Sequence, residues 1–238
     1  GIGKADGFTV FVKDAVIGDT VRAKIMKAKK NYGYGRLEEI LTPSPNRVEP
    51  ECAFARQCGG CQLQALSYEK QLEFKAGKVR GHLERIGGFT DIPMEEILGM
   101  EQPFHYRNKA QFPVGTDKDG NIVMGFYAGR THSIIPNEDC LIGSDINAGI
   151  LAEIKAFMIV NHIKSYDENS HSGLVRHILI RTGFTTGQIM VCVVINGSNI
   201  PKEDELVKKL LALSFSDDRK IASIMVNINR EKTNVILG

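Results

Sequence analysis

The chain has 238 residues, 42% of them hydrophobic, and a formal net charge of +2 at pH 7. That content is enough for one large or two small packed domains, and so small a charge does not identify a nucleic-acid partner by itself. No apolar run is long enough to span a bilayer, and the N-terminus lacks a secretory signal pattern. The sequence therefore predicts a cytoplasmic protein without membrane segments, whose five cysteines do not form a disulfide framework.

The first 45 residues predict a small β-barrel. Residues 1–7 are rich in glycine and read as a turn with no preceding strand, so we expect N-terminal residues to be missing. Apolar alternation and β-rich composition predict strands at about 8–13, 20–27 and 34–41. Two prolines then end any strand pairing and mark a linker at 42–46. Three short strands in so few residues are typical of a small barrel.

Basic residues and tyrosines are interleaved in this predicted barrel: Lys24, Lys27, Lys29, Lys30, Tyr32, Tyr34 and Arg36. Cations attract phosphates, and aromatic rings offer faces on which unpaired bases stack. A solvated strand end that carries lysines explains the same pattern equally well. Both interpretations stay open, and Lys24, Lys27 and Arg36 are candidate RNA contacts.

Three of the five cysteines, Cys52, Cys58 and Cys61, fall within ten positions. Clustered thiolates in a reducing compartment favour a shared soft metal. One C-x2-C and one C-x5-C, without a second short pair, favour an iron–sulfur cluster over zinc. The fourth ligand would be Cys140, in a polar turn, or Cys192, in an apolar run where a lone cysteine is most often a core residue. Zinc, and thiols without a metal, remain alternatives.

A hairpin with an Asp-Gly turn is predicted around residues 117–121. Arg107 and Lys109 lie two apart on its first strand, so both would project from one face towards neighbouring phosphates. Phe126 and Tyr127 are adjacent on its second strand, so one of them must point outward, where it could stack on an RNA base. A core Phe beside a surface Tyr is the commoner arrangement.

The remaining pattern predicts helices and paired strands, which favours a mixed or antiparallel sheet covered on one side. Ser67 is a candidate N-cap for the first and clearest amphipathic helix. His177 is interpreted as structural, because no second histidine or carboxylate lies at metal-ligand spacing from it. The predicted helices are 67–86, 145–162 and 202–213, and the predicted strands are 174–181, 187–196, 222–229 and 233–237.

Motifs along the whole chain resemble one family. They are C-x5-C-G-G-C-x-x-Q at 52–64, Tyr-Arg-Asn-Lys at 106–109, N-x-x-C-L at 137–141 and the closing Lys-Thr-Asn-Val-Ile-Leu-Gly. These motifs are similar to those of the bacterial RNA uridine-5 methyltransferases that modify large-subunit (23S) ribosomal RNA. The opening residues resemble that family's TRAM domain, an OB-like RNA-binding barrel. The resemblance implies that Arg107 contacts the substrate RNA.

The resemblance also implies a ligand set and a fold class. The ligands of a 4Fe–4S cluster would be Cys52, Cys58, Cys61 and Cys140. The fold class would be mixed α+β, with an N-terminally incomplete TRAM barrel at 1–45. An iron–sulfur-containing α+β domain with a mostly antiparallel sheet and the RNA-binding hairpin would follow at 46–238.

Methyl transfer in this family uses a C-terminal Rossmann-like domain with an S-adenosylmethionine site, and none of that domain's motifs occurs in the sequence. We therefore expect that domain to be absent, with no catalytic and no S-adenosylmethionine-binding residue in this chain. The expected protein is a monomer that binds 23S rRNA and holds a cluster but does not methylate; S-adenosylmethionine would serve only the full-length enzyme. The alternatives are a zinc-stabilised RNA-binding module without an enzymatic role, an iron–sulfur redox protein, and a stand-alone regulator of ribosome assembly.

Overall fold

The computed structural model describes residues 1–238, which divide into two compact units. Unit 1 comprises Gly1–Arg56 and Cys61–Glu101, and unit 2 comprises Gln57–Gly60 and Gln102–Gly238. Unit 1 continues past residue 45, where the sequence analysis placed the end of the first domain. That boundary stays a prediction. None of the helices is long and apolar enough to cross a membrane.

Unit 1 begins with a four-stranded sheet in the order β1-β2-β4-β3. Its strands are β1 (Ile2–Ala5), β2 (Phe8–Val12), β3 (Thr20–Ala28) and β4 (Tyr32–Thr42). The pairing of β2 with β4 is parallel, and the other two pairings are antiparallel. The three predicted strands are confirmed.

The interpretation of residues 1–7 as a turn is wrong, because β1 forms a hairpin with β2. Asp6 and Gly7 connect the two strands, with φ angles of 49° and 82°. Two successive positive φ angles are what a tight turn needs to match the twist of its strands, and Asp-Gly is among the pairs that supply them. The turn is therefore confined to these two residues.

The predicted amphipathic helix is confirmed as α1 (Tyr68–Arg85), which is part of unit 1. Ser67 is its N-cap, and its side-chain oxygen accepts a hydrogen bond from the Lys70 backbone N–H at 3.4 Å. None of the residues of α1 is fully buried. The apolar stripe of this helix is therefore only partly covered within unit 1.

Unit 2 contains a five-stranded sheet in the order β11-β10-β9-β5-β6, in which only the pairing of β10 with β11 is parallel. A separate two-stranded ribbon is formed by β7 and β8. The elements are β5 (Lys109–Thr116), β6 (Ile122–Met124), β7 (Phe126–Tyr127), β8 (Ile134–Ile135), α2 (Asn147–Val160), β9 (Val175–Thr182), β10 (Gln188–Ile195), α3 (Glu203–Leu211) and β11 (Lys220–Ile228).

The main core of unit 2 lies between this sheet and the helices α2 and α3. Ile150, Ile154 and Phe157 of α2 and Leu206 of α3 are buried in it together with strand residues such as Phe112. The opposite face of the sheet carries only a small apolar cluster around Leu179, Cys192 and Val194. The helices thus cover one face of the sheet, as the sequence predicts.

The predicted strand at 233–237 is wrong, because no strand follows β11. Backbone carbonyls of this segment are occupied by side chains instead. The Asn229 amide donates to the carbonyls of Val235 and Ile236, and the Arg176 guanidinium donates to that of Thr233. Apolar composition predicted a strand here, but these side-chain donors take the place of a strand partner.

The predicted iron–sulfur-containing domain is also wrong as a description of the fold. No group of three or more His, Cys, Asp or Glu residues is placed to hold a metal ion. The sheet and helices of unit 2 are held by an apolar core instead. Cysteine spacing reports only how close residues are along the chain, and it does not fix where their side chains point.

Unit 1 contains a buried ion pair between Asp19 and Arg47. The Arg47 Nη2 lies 2.7 Å from the Asp19 Oδ2, and the two side chains are 13% and 1% exposed. Burial alone would raise the pKa of Asp19. Hydrogen bonds from the Arg47 side chain and from the Ser44 and Val16 backbone N–H groups outweigh burial and lower the pKa to about 2. The pair joins the loop before β3 to the segment after β4.

We expect Asp19→Asn to lower the free energy of unfolding by about 3 kcal/mol at pH 7, because it leaves a buried guanidinium without its counter-charge. The folded-state pKa lies below the ordinary value of 3.8. The stabilisation is therefore complete above that value, and it is lost as the pH falls through about 2. Urea unfolding of both proteins across this pH range measures the difference.

The matched control is Glu39→Gln, which removes an ion pair between side chains that are 62% and 52% exposed. That change should cost less than about 1 kcal/mol. Equal losses in the two variants would contradict a special role for the buried pair.

Candidate nucleic-acid interface

Three aromatic side chains form a cluster on the unit 1 sheet, which we call the aromatic face: Phe11, Tyr32 and Tyr34. Their ring centroids are 5.6 to 5.7 Å apart. Phe11 and Tyr32 are 37% and 36% exposed. Exposed aromatic rings at such a spacing offer both faces and edges to a planar ligand.

The strand alternation explains why these rings are outside. Val10 and Val12 flank Phe11 on β2 and are buried, so Phe11 points to the opposite side of the sheet. Phe11 is the partner of Tyr34 across the pairing of β2 with β4. Directly paired residues share a face of a sheet, and residues two apart on a strand do as well, which places Tyr32 there too.

The same register brings the predicted cations to the aromatic face. Lys27 is paired with Tyr34, and Lys24 is paired with Arg36, which lies two residues beyond Tyr34 on β4. All three cations are exposed. Arg36 lies 3.9 Å from Glu38, and neither lysine forms an ion pair. We call Lys24, Lys27 and Arg36 the cationic flank of the aromatic face.

This combination suits single-stranded nucleic acid. A positively charged edge follows the phosphates, while neighbouring rings stack on bases irrespective of sequence. The sequence indicated the cations and the two tyrosines. It did not indicate Phe11, whose position depends on the parallel pairing of β2 with β4.

Arg107 and Lys109 lie in different surroundings in unit 2. Arg107 precedes β5 and is half-buried, and its backbone N–H donates to the Ile142 carbonyl at 2.9 Å. Lys109 is exposed at the start of β5. The expectation that both project from one face of a single strand is therefore not met, because only Lys109 belongs to the strand.

Lys109 has a second cation beside it that the sequence analysis missed. It is paired with Arg181 across β5 and β9, and Arg181 is also exposed. Like charges directly opposite each other destabilise a sheet, and an anion bound between them would relieve the repulsion. Both residues line a cavity of about 360 Å³ that also includes Asn108, Thr186 and Gln188. This arrangement can accept a phosphate, and the strand register that creates it is not visible in the sequence.

The two adjacent aromatic residues of β7 differ in their surroundings. Phe126 packs on the buried Phe112, with ring centroids 5.0 Å apart, and belongs to the border of the core. Tyr127 is half-buried and stacks on His132, with a centroid distance of 5.0 Å and an interplanar angle of 23°. The Tyr127 hydroxyl donates to the Glu168 Oε1 at 3.3 Å. Of the two candidates, only Tyr127 is free of the apolar core.

The cysteines named as ligands are all half-buried, whereas Cys192 is buried. In unit 1, the Cys52 backbone N–H donates to the Gln64 side chain at 3.4 Å. In unit 2, the Cys58 sulfur accepts from the Gly60 N–H at 3.4 Å, and the Cys140 carbonyl accepts from the Gly143 N–H at 2.7 Å. Whether Cys52, Cys58, Cys61 and Cys140 bind a metal stays a prediction.

Comparisons with known proteins give matches to one domain family and to several longer proteins. Residues 1–37 match the family of the TRAM domain. Over all 238 residues the chain is 46% identical to a protein of Clostridium tetani named "Uncharacterized RNA methyltransferase", and it covers 50% of that protein. A protein of Clostridium acetobutylicum with the same description is 46% identical over 240 residues and is covered to 51%. The chain spans about half the length of the curated relatives it matches.

Among solved structures, the chain is similar to the Pyrococcus abyssi tRNA (uracil-54, C5)-methyltransferase in complex with S-adenosyl-L-homocysteine. The TM-score is 0.73 at 25% identity, over 100% of this chain and 51% of that one. The fold class expected from the sequence included the absence of a methyltransferase domain. That description is wrong, because the whole chain, as an α+β fold with a TRAM match, aligns with a methyltransferase structure.

Tyr127 provides a test of this part of unit 2. Burial, followed by the nearby Glu168 carboxylate, raises its pKa to about 12. We expect Glu168→Gln to lower this pKa without restoring the ordinary value of 10.0, because the larger cause, burial, remains. Ultraviolet titration of tyrosinate measures the change, and Tyr127→Phe identifies the signal. Glu153→Gln is the control, and equal titration curves for the two Glu variants would contradict the assigned contact.

Proposed function

We propose that this chain is the RNA-recognising portion of an S-adenosylmethionine-dependent RNA uridine C5-methyltransferase that acts on 23S ribosomal RNA. The observation that carries the proposal is the aromatic face with its cationic flank, all of which lies in the residues that match the TRAM domain. The names of the relatives support RNA methyl transfer. The solved neighbour, a uracil C5-methyltransferase with bound S-adenosyl-L-homocysteine, supports the uracil C5 position and a cofactor of the S-adenosyl type.

The residues of the two candidate surfaces contribute binding and orientation. The aromatic face would hold unpaired bases, while Lys24, Lys27 and Arg36 would hold the phosphates between them. Lys109 with Arg181, and Arg107 nearby along the chain, would hold further phosphates on unit 2. S-adenosylmethionine would supply the methyl group, and we propose no methyl-transfer step for the residues of this chain.

Two substrates compete within this proposal. Ribosomal RNA follows from the resemblance of the cysteine, Tyr-Arg and closing motifs. Transfer RNA is the substrate that the name of the Pyrococcus abyssi enzyme gives. Competition between a 23S rRNA fragment and a tRNA transcript for the same protein decides between them, because the proposed substrate should displace the other at lower concentration.

We expect the two parts of the unit 1 interface to respond differently to substitution. Tyr32→Ala should weaken binding of a single-stranded RNA oligonucleotide by about 5- to 100-fold, the usual range for loss of one stacked base. It should leave the salt dependence unchanged. Lys27→Ala should weaken binding and reduce the slope of log K against log salt by about 0.7, because one phosphate contact is lost. Fluorescence anisotropy with labelled RNA at several salt concentrations measures both quantities.

Lys78→Ala is the matched control for Lys27→Ala, since Lys78 is an exposed lysine on α1. Its removal changes the net charge of the chain by the same amount. The proposal for the unit 1 sheet fails if Lys78→Ala and Lys27→Ala reduce affinity and salt slope equally.

We also propose Cys52, Cys58, Cys61 and Cys140 as metal ligands, on the basis of their spacing and of the family resemblance. The structure contains no group of three or more His, Cys, Asp or Glu residues that could hold a metal ion. The proposal is therefore about which thiols bind a metal, and it does not make the metal responsible for the fold. Iron is favoured over zinc by one C-x2-C without a second short pair. A zinc-stabilised RNA-binding module and an iron–sulfur redox protein are the competing outcomes.

Analysis of iron, sulfide and zinc in anaerobically purified protein tests these thiols. We expect about four irons per chain and a broad visible absorption band, both reduced in Cys58→Ser. Cys192→Ser is the control, because Cys192 lies in the apolar cluster on β10. Zinc alone would support the RNA-binding module, and a reversible redox potential without RNA affinity would support a redox protein.

A further inference from the structure

Unit 2 contains a second cavity, of about 890 Å³, whose lining includes Tyr127, His132, Tyr166, Glu168, Arg176 and His177. We call it the β9 cavity. Its volume lies within the usual range of roughly 300–1,000 Å³ for small-molecule sites. Neither the aromatic face nor the cysteines belong to it.

An irregularity in β9 creates one wall of this cavity. The register with β10 pairs Val194 with His177 and Ile195 with Val175, so Arg176 is an extra residue in a β-bulge. Val175 and Ile178 both belong to the core on the helix side. The two residues between them, Arg176 and His177, are therefore both available to the opposite face, where a regular strand would present only one.

Both bulge residues carry a buried polar atom without a partner. Arg176 and His177 are 4% and 9% exposed, and the Arg176 Nε and the His177 Nδ1 have no hydrogen-bond partner. Buried polar atoms are rarely left without a hydrogen bond, because the free energy lost on removing them from water is then not offset. Arg176 and His177 are successive residues and both line the β9 cavity, so a ligand bound there would lie beside two side chains with unmet hydrogen-bonding capacity.

The remaining contacts of these residues show that they are held in place. The Arg176 Nη1 donates to the carbonyls of Asn229 and Glu231 at 2.8 and 2.7 Å. Its guanidinium lies 4.4 Å from the centroid of the Tyr166 ring. Burial, and then the charge of Arg176, lower the pKa of His177 to about 4, so its imidazole is neutral at pH 7. A neutral imidazole offers one donor and one acceptor.

Aromatic side chains form another part of the lining. Tyr127 and His132 are stacked and are both fixed by Glu168, which accepts from the Tyr127 hydroxyl and is hydrogen-bonded to the His132 Nδ1. The rim thus offers a planar surface, and Tyr166 offers a second ring. Planar heterocycles bind in this way between or beside aromatic groups.

The charges in the lining argue against a phosphate as the main ligand group. Asp117, Asp167 and Glu168 contribute carboxylates, and only Lys118 and Arg176 contribute fixed positive charges. An isolated anion would meet repulsion from the carboxylates. An uncharged heterocycle with donor and acceptor groups on its edge fits both the polar atoms and the rings.

We propose that the β9 cavity binds an unstacked nucleobase of single-stranded RNA, with the side chains of His177 and Arg176 beside the base edge and the Tyr127–His132 stack on its plane. The choice of RNA as the source of the base rests on the proposed function. The cavity itself adds base selection to a chain whose other candidate contacts are to phosphates and to stacked bases of any sequence.

Titration with the free nucleosides uridine, cytidine, adenosine and guanosine, each alone, tests the cavity by shifts of backbone amide signals in heteronuclear NMR. We expect saturable shifts of the amides of β8, of 166–169 and of Arg176 and His177 with at least one nucleoside. His177→Leu should weaken that binding by about 5- to 100-fold. His177→Asn should keep most of it, because the Asn amide places a polar group near the position of the imidazole Nδ1.

Thermal unfolding of the same variants separates a ligand role from a structural one. His177→Leu removes a buried atom without a partner, so its midpoint should equal or exceed that of the unchanged chain. A lower midpoint in both His177 variants would overturn the ligand role. Tyr127→Ala is the second variant if His177→Leu does not fold, and it should weaken nucleoside binding while the exposed Phe184→Ala does not.

The nucleoside titration does not depend on RNA binding by the rest of the chain. Loss of RNA affinity with intact nucleoside shifts would overturn the proposed function and leave the cavity as a base site. RNA affinity without saturable shifts in the cavity, for all four nucleosides, would overturn the base site and leave the proposed function.

Discussion

The buried guanidinium of Arg176 is the polar contact that joins the last segment of unit 2 to its sheet. It donates to the backbone carbonyls of Asn229, Glu231 and Thr233 and so holds the segment after β11 against β9. Arginine is suited to this because its planar fork provides five donors in fixed directions. A strand without the bulge would not direct Arg176 and His177 to the same side. The inserted residue therefore contributes both to the position of the last segment and to the lining of the β9 cavity.

In the sheet of unit 1, regular strand alternation determines which side chains are exposed. Val10 and Val12 are buried, and the alternation between them turns Phe11 outward, next to Tyr34. The Asp19–Arg47 pair lies away from these rings in the sequence and stabilises the loop and linker that flank β3 and β4. The stabilising contacts and the exposed rings are thus different residues. Substitution of the aromatic face therefore alters the surface of the sheet with little effect on the contacts that hold it.

Local patterns predicted most of the elements, because alternation and capping act within a few residues. The strands β2, β3, β4, β9 and β10 and the helix α1 followed from such patterns. What depends on register was not predictable. The pair Lys109 and Arg181, and the position of Phe11 beside Tyr34, exist only because particular strands are neighbours. The strand predicted at 233–237 was wrong for a different reason. Its apolar pattern is typical of a strand, but the side chains of Arg176 and Asn229, which are not part of this segment, donate hydrogen bonds to its backbone carbonyls.

The spacing of the cysteines along the sequence does not determine where their side chains point. The β9 cavity, in turn, could be found only from the three-dimensional structure. Neither Arg176 nor His177 stands out in the sequence, and His177 was interpreted as structural. Their significance comes from two unsatisfied atoms and a bulge.

An open surface of rings and lysines binds RNA through stacking and charge, which are tolerant of sequence and sensitive to salt. A concave pocket with fixed donors and acceptors discriminates by hydrogen bonds on the base edge. On the functions proposed, affinity would come mainly from the unit 1 sheet and selectivity from the unit 2 cavity.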